Sequence, residues 1–440
     1  MKALLTLGFW MLGCTALLAQ DVPDNVMIYS GESASYQPCE PSIAISPANP
    51  DIMVAGSVLN NVHRSTDGGW TWKTETLTSR YGVYGDPCVV GSPKGDFYYL
   101  HLSNPDGLGW ESEALLDRIV IQRGKRNGRH WNSGVGMGLN EQKDQDKEWA
   151  AVGVKGRSLV SCWTQFDQYD SPLASDSSII LCSTSNRQAK IWTEPVRVNA
   201  LAGDCLDGDW TVEGAVPDIA ADGTIYVAWA HADTIWMDRS ADGGITWLQK
   251  DLRVAQIAGG WDCAVRGFNR ANGMPVTRVD RSNGLHQGRI YVNWTDNRNG
   301  PDDQDVWVVY SDDGGETWTA PIRVNNDPPG AQQFFTWMAV DDVTGFVHIV
   351  YYDRRQAAAK YPNPSVKASW DTEVYVASSI DGGVSWHNQR VSEKPFRPQE
   401  KMFFGDYNNI SAYDGHVRPI WTRNDNGILS IWTAVLDGME

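Results

Sequence analysis

Asp296-Asn-Arg298, Asp353-Arg354-Arg355 and Arg423-Asn-Asp425 each set a guanidinium within two residues of a carboxylate. The planar fork of arginine meets a carboxylate ligand with two parallel hydrogen bonds, so these residues together could grip an anion. Glu40, Asp86, Asp146, Glu148, Asp218 and the pair Asp406-Tyr407 form a second set, each close to the start of an apolar run. Carboxyls sharing a pocket can act as general acid and base, and a phenol beside one can act as nucleophile. The same residues admit a plainer reading. The Asp-Xaa-Arg pairs can be ion pairs of a structural wall, and Asp406-Tyr407 can simply lock neighbouring strands.

A repeat positions them. Four segments are nearly the same: Ser65-Thr-Asp-Gly-Gly-Trp-Thr-Trp72, Ser240-Ala-Asp-Gly-Gly-Ile-Thr-Trp247, Ser311-Asp-Asp-Gly-Gly-Glu-Thr-Trp318 and Ser379-Ile-Asp-Gly-Gly-Val-Ser-Trp386. The last three begin 71 and 68 residues apart, and the gap of 175 after the first has room for two degenerate copies, at Arg123 to Trp131 and Ser183 to Trp192. Each segment suits a tight hairpin, because Asp can bond nearby backbone N–H groups and the Gly pair permits positive φ. An alternating strand precedes each turn, as at Asp305 to Tyr310, and another follows, as at Trp318 to Val324. A further strand recurs seven times, as at Ile52 to Ala55, Leu159 to Trp163, Ile225 to Trp229 and Val417 to Trp421. Inner strands begin near Pro41, Pro87, Trp149, Pro217, Pro275, Trp337 and Tyr407.

These sets predict an all-β fold, a β-propeller of seven four-stranded blades. Six blades are the alternative if the N-terminal segment takes no part. The last blade has three strands before the chain ends, so Asn25 to Tyr29 is expected to supply its outer strand, closing the ring and removing a sheet edge.

Residues 1–19 read as an export signal, with Lys2 ahead of an apolar run from Leu4 to Leu18 and Ala19 before the cut; an N-terminal anchor is the alternative. Residues 20–440 then form one propeller domain, located outside the cytoplasm and with no later segment long enough to span a bilayer. With Cys14 in the removed peptide, six cysteines remain, which suggests disulfides in an oxidising compartment. Cys162 with Cys182 is expected on neighbouring strands. Cys39 with Cys88 and Cys205 with Cys263 are the remaining pairs among fifteen possible connectivities. A net charge of −17 without a basic cluster argues against nucleic acid as a partner. No CxxC, HxxxH or Gly-x-Ser-x-Gly pattern occurs, so no metal or cofactor is expected to carry the chemistry. Asp302, Asp303 and Asp305 could ligate calcium, or form a solvated acidic loop.

The four turns resemble the Asp-box, or BNR, repeat of sialidases and similar propellers, and the resemblance spans nearly all of the chain after the signal. It implies that the boxes are structural turns on the face opposite the site. Sialidases hold the substrate carboxylate with three arginines and use a Tyr/Glu nucleophile pair with an Asp acid/base. The resemblance therefore implies a secreted exo-glycoside hydrolase acting on anionic sugars. Arg298, Arg354 or Arg355, and Arg423 would grip the substrate beside Asp406; Tyr407 would be the nucleophile, Glu148 its base and Asp86 the acid. The Arg-Ile-Pro motif of that family is absent, and Pro38-Cys-Glu-Pro-Ser42 stands in its place. Two rival functions remain: a non-catalytic extracellular propeller binding glycan or protein, and a polysaccharide lyase with Tyr407 as base and the arginines neutralising a uronate.

Overall fold

Ser42–Ile45 and Met53–Ser57 are buried at every position, the pattern of strands covered on both faces, whereas Lys73–Thr76 is largely exposed. That gradient from axis to rim recurs around a ring in a computed structural model that describes residues 22–33, 36–125 and 127–438. Seven antiparallel sheets form the blades of a β-propeller, and in each the inner strand pairs with the second, the second with the third, and the third with the outer strand. The inner strands are Ser42–Ile45, Cys88–Gly91, Asp144–Val152, Glu213–Ile219, Val276–Val279, Gln333–Val340 and Asn409–Tyr413.

Blade seven combines the two ends of the chain. Its inner, second and third strands are Asn409–Tyr413, His416–Asp425 and Ile428–Ala434, and Asn25–Ser30 pairs antiparallel with the third, from Asn25 opposite Ala434 to Ser30 opposite Ser430. The expected closure by the N-terminal segment is present, and six blades are excluded. Ile28 seals the seam by packing with Ile43, Ala55, Ile420 and Ile431 of blades seven and one. The abundant tryptophan is used between blades. Trp163, Trp229, Trp294 and Trp421, at the same place in the second strands of blades three, four, five and seven, are fully buried.

The repeated turns join third to outer strands. Ser65 donates to Asp67 Oδ1 at 2.8 Å and accepts from Gly69 N at 2.9 Å, while the Thr71 hydroxyl donates to Asp67 Oδ2 at 2.6 Å. Asp242, Asp313 and Asp381 hold their turns in the same way. The two degenerate copies occupy the equivalent hairpins of blades two and three. We call this the lower face. The opposite, upper face carries the approaches to the inner strands and the hairpins between second and third strands.

Several expectations need correction. Cys162 and Cys182 form the expected disulfide, opposite one another on neighbouring strands. Cys39, Cys88, Cys205 and Cys263 are free thiols. Cys39 and Cys88 are buried in different blades, Cys205 is tied by a backbone bridge to Ser171, and Cys263 N donates to Ala271 O. Asp302, Asp303 and Asp305 share no site. Asp302 pairs with Arg266, Asp303 accepts from Gly330 N, and Asp305 is buried among Arg323 and Asn325. Asp218 does not lead into an inner strand. It lies near the lower end of blade four's, where Glu213 is the upper residue. Among the described residues no helix is long and apolar enough to cross a membrane. The expected signal, residues 1–19, lies outside the described residues.

Candidate functional site

Equivalent positions on the inner strands converge on the axis at the upper face. Ile43, Trp149, Val216 and Asn409 pair with Ala55, Cys162, Ala228 and Ile420, the fourth residues of the repeating second-strand set. Three residues earlier in each case stand Glu40, Asp146, Glu213 and Asp406, all buried at one level around the axis. Bulges interrupt the ladders of blades three, four and six just here. They bring backbone into the left-handed region at Lys147 (φ 54°) and Phe335 (φ 47°), with Glu40 (φ 51°) and Asp86 (φ 46°) alike in blades one and two. Such backbone costs about 1–3 kcal/mol per residue and is typical of sites whose side chains must be aimed. Gly405 is required at its place: its φ is 93°, and a Cβ there would sit 2.5 Å from Glu40 Cγ.

A cavity of about 310 Å³ opens above this level. Glu40, Asp86, Asp146, Lys147 and Arg270 form its polar floor, and Tyr36, Tyr84, Trp110, Tyr169 and Phe403 its aromatic wall. Trp110 meets Tyr84 edge-on and Tyr169 at a tilt, with ring centroids 6.3 and 5.6 Å apart. Trp110 is 65% exposed.

The floor is a charge network. Asp406 accepts Lys147 Nζ at 2.6 Å and Arg270 Nε at 2.6 Å, and Glu40 Oε1 accepts its backbone N–H at 3.0 Å. Lys147 Nζ is also 3.8 Å from Asp86 Oδ2, an oxygen with no hydrogen-bond partner. Arg270 reaches Asp207, which Tyr169 also contacts. Burial alone would raise the Asp406 carboxyl, but Lys147 and Arg270 outweigh it and hold it at about 2. Asp146 is pushed up to about 7 by burial, Lys147 opposing and the charges of Asp86 and Asp207 adding. Burial, then Asp86 and Asp406, also drive Glu40 well up, and burial with Asp207 does the same to Glu213.

Of the residues singled out in the sequence, Asp86, Asp406, Glu148 and Tyr407 come together around the axis. Asp86 belongs to the floor, and Asp406 is joined to it through Lys147 and Arg270. Tyr407 is 4% exposed and lies beneath it, its hydroxyl donating to Pro87 O at 3.4 Å and its ring packed with Trp149 and Trp337. Burial, then Asp86, Glu40 and Glu148, raise its phenol well above the ordinary value. Glu148 is buried with neither oxygen hydrogen-bonded, and burial and Asp86 raise it as well.

The four arginines are not on the floor. Arg298 places its fork on Asp296 at 2.9 and 2.6 Å and lies over Trp307. Arg355 binds Asp353 at 2.8 Å and Asn326 at 2.6 Å; Arg423 binds Asp425 at 2.8 Å and Glu393 at 3.1 Å. Arg354 is 3% exposed and bonds Gln332 and the Arg266 carbonyl, with burial lowering its guanidinium to about 9. The cations of the cavity are Lys147 and Arg270, which sequence reading missed. Lys147 had a signal, a lysine between the two carboxyls Asp146 and Glu148. Arg270 and Trp110 lie in loops outside the repeat, which no periodicity marks.

No protein-family model and no curated protein sequence matches the chain. Among solved structures it is similar to a protein of unknown function from Dyadobacter fermentans, at 12% identity and TM-score 0.51, covering 95% of this chain and 98% of that one. A Hadza microbial sialidase aligns at 13% identity and TM-score 0.48, covering 89% of this chain and 74% of that one. The α-L-arabinanase of Penicillium chrysogenum complexed with arabinobiose aligns at 15% identity and TM-score 0.49, over 75% and 94%. At these identities the likeness is one of fold.

Proposed function

We propose that this protein is an exported, glycan-directed β-propeller that hydrolyses glycosidic bonds of anionic sugars in the upper cavity. The observation that carries this reading is a cavity whose carboxyls differ widely in proton affinity beneath an exposed aromatic wall. Asp146, at about 7, holds a proton that Asp406, at about 2, has lost. A carboxyl kept protonated near neutral pH by burial can serve as a general acid. Asp146 is the proton donor to the leaving oxygen, and Asp86, with its unpartnered Oδ2, is the second carboxyl of a two-carboxyl scheme. Arg270, its side chain 39% exposed, is the cation that reaches the cavity, and Tyr84, Trp110 and Tyr169 supply faces for the sugar ring. A volume of about 310 Å³ lies at the small end for ligand pockets. Export accords with the Cys162–Cys182 disulfide.

The alternative division of labour has Tyr407 attack with Glu148 as base and Asp86 as acid. It requires a 4% exposed phenol to reach the substrate. A non-catalytic binding role is favoured by one specific observation: Arg298, Arg355 and Arg423 spend their forks on their own wall carboxylates. Sugar release from a panel of sialylated and uronate-containing glycans by wild type, Asp146→Asn and Tyr407→Phe separates the readings. Loss in Asp146→Asn alone supports the two-carboxyl scheme, loss in Tyr407→Phe alone the tyrosine scheme, and glycan binding without turnover the binder.

A further inference from the structure

The channel does not run open through the ring. Trp149, Trp337 and Tyr407 pack across it with ring centroids 4.3 to 6.1 Å apart, and below them a second cavity of about 140 Å³ opens toward the lower face. Two arginines from blade five line it. Arg281 has a partner: its Nε and Nη2 meet Asp342 at 2.9 and 3.0 Å. Arg278 has none of that kind. Its Nη1 donates to the Thr277 carbonyl at 2.7 Å and its guanidinium stands over Trp337 at 5.9 Å. Among the described residues no carboxylate forms an ion pair with it, and its Nε–Nη2 edge is free.

The nearby carboxylates are already engaged. Asp218 accepts from Ile219 N and Val279 N, and Asp342 is taken by Arg281. Ser42 and Ser411, also in the wall, accept from Val89 N and Ile45 N and so keep their hydroxyl protons to donate. The cavity thus places a guanidinium that has no ion pair beside two hydroxyls that can donate, a set of donors that a carboxylate would complete.

We infer that the lower cavity binds a small planar carboxylate on the free edge of Arg278, repeating the fork that Arg281 makes with Asp342. At about 140 Å³ the space admits an anion of a few heavy atoms and excludes a sugar chain, so this site is separate from the upper cavity. Bridging the inner strands from below, the bound anion fastens the ring.

Thermal melting of the full mature protein tests this when sodium acetate replaces sodium chloride at constant ionic strength. The expected result is a saturable rise in Tm for wild type that is lost in Arg278→Gln. A rise that does not saturate, or one shared by Arg278→Gln, overturns the inference. If that variant fails to fold, 19F relaxation of trifluoroacetate decides on wild type with Arg278→Lys as comparison. Broadening that acetate relieves, and that falls at least tenfold in Arg278→Lys, supports the site; no broadening, or equal broadening, overturns it.

Discussion

Asp146 and Asp406 stand at the same level of the inner strands of blades three and seven yet titrate on opposite sides of the ordinary carboxyl range, because Asp406 receives both cations and Asp146 mainly burial. The consequences for stability have opposite signs. Asp146 is raised to about 7 from about 3.9 in the unfolded chain. Its neutral form therefore stabilises the fold fully below about pH 4, and that contribution is lost as pH rises through 7. Asp146→Asn, which cannot ionise, should melt above wild type at pH 8 and close to it at pH 4. Asp406 is depressed, so its contribution is present above about pH 4 and lost as pH falls toward 2. Asp406→Asn leaves Lys147 and Arg270 in the floor without their shared carboxylate. At pH 7 it should cost about 3–5 kcal/mol in urea unfolding, the usual result of breaking a buried pair from one side.

At the scale of the element, the ring depends on a strand contributed from the far end of the chain. Ile28 is 6% exposed in the seam between blades seven and one, while its neighbour Met27 is 52% exposed. Ile28→Ala should cost about 2–4 kcal/mol, and Met27→Ala less than about 0.5. Equal effects would mean that the closing strand does not bear load in solution. This strand was legible in the sequence because the last blade lacked one strand and an alternating segment stood unassigned at the start. Asp218 shows where such reading fails. Val216-Pro217-Asp218-Ile219 looks like Glu40-Pro41-Ser42-Ile43 because of its proline, but a bulge between Glu213 and Val216 shifts the register and makes Glu213 the counterpart of Glu40. Bulges add a residue without changing the apolar pattern, so periodicity cannot place them.

Over the whole molecule, repetition made the fold readable and hid much of the site. Seven copies of a strand pattern reveal a propeller, and Glu40, Asp86, Asp146 and Asp406 could be named from their place in it, whereas Glu213 could not. The arginines were misleading for a physical reason: Asp-Xaa-Arg at a strand end satisfies itself locally, as Arg298 does with Asp296, and needs no ligand. Arg270 and Trp110 come from loops with no counterpart in other blades, where only three-dimensional closure shows what they face. The chain's one disulfide among the described residues lies within blade three, so replacing Cys162 and Cys182 by serine should cost about 2–4 kcal/mol without opening the ring, as read by denaturant unfolding. Export predicts that the mature protein begins at Gln20, which intact mass of the secreted chain checks.

The most direct measurement is the pH profile of sugar release from uronate- and sialate-bearing glycans by wild type and Asp146→Asn, with folding of each confirmed. Hydrolysis at the upper cavity predicts wild-type activity that declines as pH rises through about 7, and a fall of about 10²- to 10⁴-fold in the variant with that limb abolished. Equal activity and equal profiles in the two proteins would contradict Asp146 as the proton donor. Tight glycan binding by both with no turnover at any pH would make the cavity a binding site alone.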